Sequence, residues 1–147
     1  MRPIVVWNRA EAESVMLDYP YAHISISDSL VGDMPENLPD NPNRVALLRM
    51  EFTDCPTTGP DDAPVYIRPD YPIDPPTIMQ CKKIVAFVDE WKDRVEGFAV
   101  NCAGGQSRST ATAEMIAARL NCEIAPLPPG RNWGPNRMLR VLYREAQ

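Results

Sequence analysis

The sequence predicts an α/β fold: a sandwich with a mainly parallel central sheet flanked by helices. Three observations carry that expectation. Short apolar strands alternate along the chain with segments of helical periodicity. One strand runs through a glycine pair directly into an alanine-rich helix, the strand-loop-helix join of parallel α/β proteins. The length of 147 residues suits one full core and is too short for two comfortable ones, so residues 1–147 are expected to form a single domain.

In chain order, Ile4 to Trp7 reads as a short apolar strand, and Arg9 to Leu17 carries a helical pattern in Ala12, Val15 and Met16. Tyr21 to Ser27 alternates strictly, with Ala22, Ile24 and Ile26 on one side and His23, Ser25 and Ser27 on the other. The polar, proline-spotted stretch from Asp28 to Asn43 reads as loop, and Val45 to Phe52 as the next strand. Pro75 to Val95 is the clearest helix, with Ile78, Cys81, Ile84, Val85, Val88 and Trp91 at spacings of three and four and Gly97 just past its end. Asp74 before Pro75 has the composition of an N-cap followed by a first-turn proline. Phe98 to Cys102 reads as the central strand, and Ser107 to Leu120 as a helix whose Ala113 and Ala117 suit close packing on a sheet. A proline-rich bend from Pro126 to Pro135 leads to a last helix, Asn136 to Glu145, with Met138, Val141 and Leu142 inward.

The charged content of 24% and hydrophobic content of 44% describe an ordinary soluble globular protein. A net charge of −5 argues against general affinity for nucleic acid or anionic membrane, so any phosphate site has to be positive locally. The apolar stretch Ile4 to Trp7 is too short for a signal peptide, and no segment approaches transmembrane length. Four cysteines at 55, 81, 102 and 122 form no C-x2-C pair, and the lone His23 has the character of a structural residue, so neither a metal site nor a redox dithiol is expected. A reducing cytoplasm is the expected compartment.

The chemistry concentrates in Val100 to Ser109, Val-Asn-Cys-Ala-Gly-Gly-Gln-Ser-Arg-Ser. Five residues, Ala103, Gly104, Gly105, Gln106 and Ser107, separate Cys102 from Arg108. A loop of that length, leading into a helix, can turn its N–H groups inward around an anion. The glycine pair permits unusual φ values and removes side chains that would block a ligand. A free thiol titrates near ~8.5 and is a slow nucleophile at neutral pH. Inward amides, the helix dipole, Arg108 and the Ser109 hydroxyl are the groups expected to favour a thiolate at Cys102.

Cys102 to Arg108 followed by Ser109 resembles the C-x5-R-[ST] loop of cysteine-dependent protein tyrosine phosphatases, and the compact length is similar to the dual-specificity branch and its small bacterial relatives. The resemblance implies a phosphatase-type three-layer sandwich and a phosphoric monoester hydrolase that uses no cofactor. It implies that Cys102 attacks phosphorus, that Arg108 grips the equatorial oxygens with the loop amides, and that Ser109 helps the thiolate leave. The family's loop glycine falls on Gly105. The partner it implies is a phosphorylated protein or a small phosphomonoester, met by a monomer, with no nucleic acid and no membrane. One departure stands beside the match: the family places histidine before the nucleophile, and this chain has Asn101. Its amide can donate to a loop carbonyl but carries no charge, which implies weaker support for the thiolate and a slower enzyme. A phosphate-binding module that has given up catalysis is the alternative reading, and sulfur or arsenate chemistry on a similar loop a further one.

Phosphate ester cleavage needs a carboxylic acid to protonate the leaving oxygen. The resemblance puts it on a loop after the strand preceding the long helix, where Asp54, Asp61, Asp62, Asp70 and Asp74 are the candidates. Asp54 is preferred because it follows the end of the Val45 to Phe52 strand, where open α/β sheets place ligand groups; Asp62 is the runner-up. The stretch Thr53 to Asp74 carries five prolines without a regular element of its own and reads equally as a lid, with Tyr66, Arg68 and Tyr71 as candidate substrate contacts, or as a passive insertion. Arg131 and Trp133 in the late bend are candidates to border the site.

Overall fold

A computed structural model describes residues 1–28, 30, 32–55 and 73–147. Among them lie four strands and four helices, in the order β1 (Val5–Trp7), α1 (Arg9–Ser14), β2 (Tyr21–Ser27), β3 (Arg44–Glu51), α2 (Ile78–Trp91), β4 (Gly97–Asn101), α3 (Arg108–Leu120) and α4 (Arg137–Ala146). The strands form one sheet in the order β1-β4-β2-β3, and every pairing is parallel. The α/β class and the parallel sheet expected from the sequence are both present.

Strand alternation assigns the two faces. Val6, Ile24, Ile26, Phe98, Val100 and Met50 pack under α2, α3 and α4, against Ile84, Val88, Ile116 and Leu139. Trp7, Tyr21 and Ala99 face the other way, towards Ala12 of α1, with Leu17, Tyr19 and Leu38 around them. The result is three layers. The chain moves from β1 past β4 to β2 through α1, and back from β3 past β2 to β4 through α2. Because right-handed crossovers put their helices on opposite faces when the direction of travel reverses, both faces are covered. Parallel strands also bring all their C-terminal ends to one edge, so Asn8, Asp28, Phe52 and Cys102 leave the sheet on the same side.

Several boundaries differ from the sequence reading for local reasons. The helix expected over Pro75 to Val95 begins only at Ile78, because Thr77 and Gln80 form a capping box, each side chain bonded to the other's backbone N–H. Asp74 is therefore not the N-cap; its N–H donates to Thr53 Oγ1 and its carbonyl accepts from Thr53 N, closing the ends of the intervening segment on each other. The first helix stops at Ser14, where Val15 turns extended (φ −81°, ψ 134°), and Val15 and Met16 are exposed instead of inward. Gly97 opens β4 instead of ending a helix, and a Cβ there would lie 2.8 Å from the Tyr19 ring. In α4 the fully buried face is Leu139 and Tyr143, one residue on from Met138 and Leu142, because the Tyr143 hydroxyl reaches 2.7 Å from Thr112 Oγ1 on α3. Ser25 and Ser27, on the polar side of β2, are buried under the α1 layer.

Candidate active site

The loop from Cys102 to Ser107 leaves β4 and feeds α3 at the sheet's C-terminal edge. It is fixed from three directions. Gly105 sits at φ +65°, and a Cβ there would lie 2.8 Å from Asn8 N and 2.9 Å from Trp7 C and O. Only glycine meets both demands, a left-handed backbone and a close approach to the β1–α1 junction. Arg9 N donates to Ala103 O at 3.1 Å, so the start of α1 holds the loop's first turn. From the late bend, Gly134 N donates to Gln106 O (3.0 Å), Asn132 N to Gln106 Oε1 (3.0 Å) and Asn136 N to Ser107 O (3.1 Å). Gly104 is the exposed residue at the loop's crown.

Cys102 is buried, and its Sγ lies 3.0 Å from Ser109 Oγ in the first turn of α3. Arg108, the first residue of that helix, is only 5% exposed. Its Nη1 donates to Phe52 O (3.0 Å) and its Nη2 to Asp33 Oδ2 (3.2 Å), while its buried Nε has no hydrogen-bond partner among the described residues. A buried guanidinium N–H left unpaired costs free energy unless an acceptor arrives, so this edge of Arg108 favours an anion. Ser107, though it stands at the N-cap, makes no side-chain cap; its hydroxyl donates to Asp54 Oδ1 at 2.6 Å instead. Among the described residues the first-turn amides of α3 have no side-chain cap from Ser107, at the end of the helix that favours negative charge.

Asp54 lies just beyond β3 and against the loop. Its Oδ1 accepts from Ser107 Oγ and from Asn136 Nδ2 (2.8 Å), and the same Asn136 amide donates to Cys55 O (3.0 Å). The other proposed acids, Asp61, Asp62 and Asp70, and the proposed contacts Tyr66, Arg68 and Tyr71, lie outside the described residues. Burial pushes the Cys55 thiol up, with Asp54 adding to the effect, and drives Cys81 up to about 12. All four cysteines are free.

No family model matches this chain, and no curated protein or solved structure matches it.

Sequence reasoning missed Asp33, Asn136 and the partner of Asn101. Asp33 lies in a stretch without periodicity, and its meeting with Arg108 spans 75 positions. The expectation that the Asn101 amide donates to a loop carbonyl is corrected: Nδ2 has no partner among the described residues, and Oδ1 instead accepts from His23 Nε2 at 2.7 Å. Arg131 makes an ion pair with Glu11 (2.6 Å), the residue whose carboxylate also accepts from Asn8 N at the start of α1. Trp133, 43% exposed, donates from its indole to Glu114 on α3, so it lies along that helix.

Proposed function

We propose that this chain is a phosphoric monoester hydrolase of the cysteine-dependent tyrosine or dual-specificity kind, working through a cysteinyl-phosphate intermediate. The observation that carries the reading is the pairing of Cys102 with a buried, incompletely bonded Arg108 across a five-residue glycine loop, with Ser109 Oγ 3.0 Å from the sulfur. In the first step the Cys102 thiolate attacks phosphorus. An S–P bond forms, the ester P–O bond breaks, and Asp54 gives its proton to the leaving oxygen. In the second, water attacks phosphorus, Asp54 takes the water proton, and the S–P bond breaks to release inorganic phosphate and the thiolate, to which the Ser109 hydroxyl donates. Arg108 and the amides of Ala103 to Arg108 stabilise the charge on the transferring group, the term that dominates phosphoryl transfer.

The substrate in this reading is a phosphorylated protein or small phosphomonoester, taken by a monomer without a cofactor. The net charge of −5 disfavours nucleic acid and anionic membrane as partners. Among the described residues no helix is long and apolar enough to cross a membrane. A thiolate nucleophile suits a reducing compartment such as the cytoplasm. The second reading, a phosphate-binding module without turnover, draws on Asp54, whose Oδ1 is held by two donors and so serves the loop's structure.

Turnover of an aryl phosphate by the wild type and by Cys102→Ser, from mildly acidic to mildly basic pH, separates the readings. Hydrolysis abolished in the variant supports the covalent mechanism. Binding of vanadate by a wild type that turns nothing over favours the module.

A further inference from the structure

Beneath the phosphate loop, on the sheet face that α1 covers, lies a group of buried side chains that the chemistry above does not use. Asn101 is the last residue of β4, paired in register with Trp7 of β1 and Ser25 of β2, and Cys102 is the first residue beyond it. His23, the chain's one histidine, is fully buried two pairs earlier on β2, opposite Ala99 and on the same face. Its Nε2–H donates to Asn101 Oδ1 at 2.7 Å, across 78 positions of sequence. The imidazole meets the Trp7 ring edge-on, with centroids 5.4 Å apart and planes at 86°, and the Trp7 carbonyl is the group that Gly105 approaches. The contacts form a closed circuit: Asn101 enters the loop, Gly105 rests on Trp7, Trp7 packs on His23, and His23 returns to Asn101.

We propose that His23 is a positioning residue, which through its hydrogen bond to Asn101 fixes the point where the chain leaves the sheet and so sets the Cys102 sulfur against Ser109 and Arg108. The inference rests on the reading of Cys102 as the nucleophile. Two further observations support it. Asn101 Nδ2, His23 Nδ1 and Ser25 Oγ have no hydrogen-bond partners among the described residues, which leaves the His23–Asn101 bond as the one side-chain tie within the group. Burial, with Arg44 and Arg49 of β3 acting in the same direction against the opposing Asn101 hydrogen bond, holds the imidazole neutral, with its ordinary value of 6.5 lowered to about 4. A neutral ring has one N–H, and here Asn101 sets which nitrogen carries it.

The test compares His23→Leu, which removes the donor, with His23→Gln, whose amide N–H can stand near the position of Nε2. Two quantities are read: alkylation of Cys102 by iodoacetamide, followed on its own peptide by mass spectrometry, and kcat and KM on an aryl phosphate. A misplaced reacting group costs rate and not ground-state binding. His23→Leu is therefore expected to slow alkylation and kcat by at least about tenfold with KM held within about twofold, and His23→Gln to restore both. Asn101→Ala should reproduce the loss, and adding it to His23→Leu should cost nothing more, because both remove one bond. Should His23→Leu fail to fold, Asn101→Ala and His23→Gln carry the same comparison. Alkylation at the wild-type rate in folded His23→Leu or Asn101→Ala, or a glutamine variant as slow as the leucine one, overturns the proposal. The alkylation readout needs no turnover, so a wild type that hydrolyses nothing overturns the phosphatase reading while alkylation still decides the role of His23.

Discussion

At Gly105 a single hydrogen atom in place of a side chain lets the loop exist. A methyl group there would meet Asn8 N and Trp7 C and O below 3 Å, and those are backbone atoms that cannot swing aside. Gly105→Ala is expected to cost about 1–3 kcal/mol of stability, read as a lowered midpoint in urea, and to weaken phosphate binding with it. Arg108 is the other position without a substitute, since its two Nη groups are bonded to Phe52 O and Asp33 and its buried Nε has no hydrogen-bond partner among the described residues. Lysine has no such fork, so Arg108→Lys should lose roughly 10²–10³ in kcat on an aryl phosphate; retention of half the wild-type rate would exclude the assigned role. Cys102, Arg108 and Ser109 are legible in the sequence because they lie within eight positions of one another, where spacing alone fixes geometry. Asp33 and Asn136 are not, because their contacts with Arg108 and Asp54 span 75 and 82 positions and depend on how the sheet closes.

The elements were readable in proportion to their periodicity. Helix α2 shows its buried stripe of Cys81, Ile84, Val85 and Val88 in the sequence, but not its start, because Asp74 and the two prolines after it have the composition of a cap while Thr77 and Gln80 form one. Thr77→Ala is expected to destabilise the protein by about 1 kcal/mol in denaturant titration, whereas Asp74→Ala removes no cap. Helix α4 is joined to the site through α3: Tyr143 O–H donates to Thr112 Oγ1, which donates to Arg108 O at 2.9 Å. The Tyr143 phenol is fully buried and pushed well above its ordinary range by desolvation, so it stays a donor. Tyr143→Phe should cost about 1–2 kcal/mol, since it leaves the packing and deletes one buried hydrogen bond. That link was hidden from the sequence because it depends on Tyr143 facing inward, one residue from the stripe the pattern suggested.

Across the described residues, the parallel sheet gathers its four strand ends at one edge, where the Cys102 to Ser107 loop leaves β4. The same architecture buries His23 at the centre of one face, which gives stability a pH dependence. The unfolded chain binds a proton at His23 near 6.5 and the native state only near 4, so between those values the unfolded state holds more protons and is favoured as pH falls. Stability from this group is complete above pH 6.5 and is lost towards pH 4, by about 3 kcal/mol at most. Urea titrations of the wild type and His23→Gln at pH 7 and pH 4.5 should show the wild type losing more stability on acidification; equal losses would contradict the burial of a neutral imidazole. The fold class was legible from alternating strands and helices. Which helix covers which face of the sheet was not, because no local pattern marks which face a crossover takes.

The most direct test of the central claim is rapid acid quench of the protein with a phosphorus-labelled aryl phosphate, followed by mapping of the label. The account predicts a burst of leaving group approaching one equivalent, label on the peptide that contains Cys102 as a thiol-linked phosphate, and neither burst nor label in Cys102→Ser. Steady hydrolysis without a labelled intermediate, undiminished in Cys102→Ser, would contradict it.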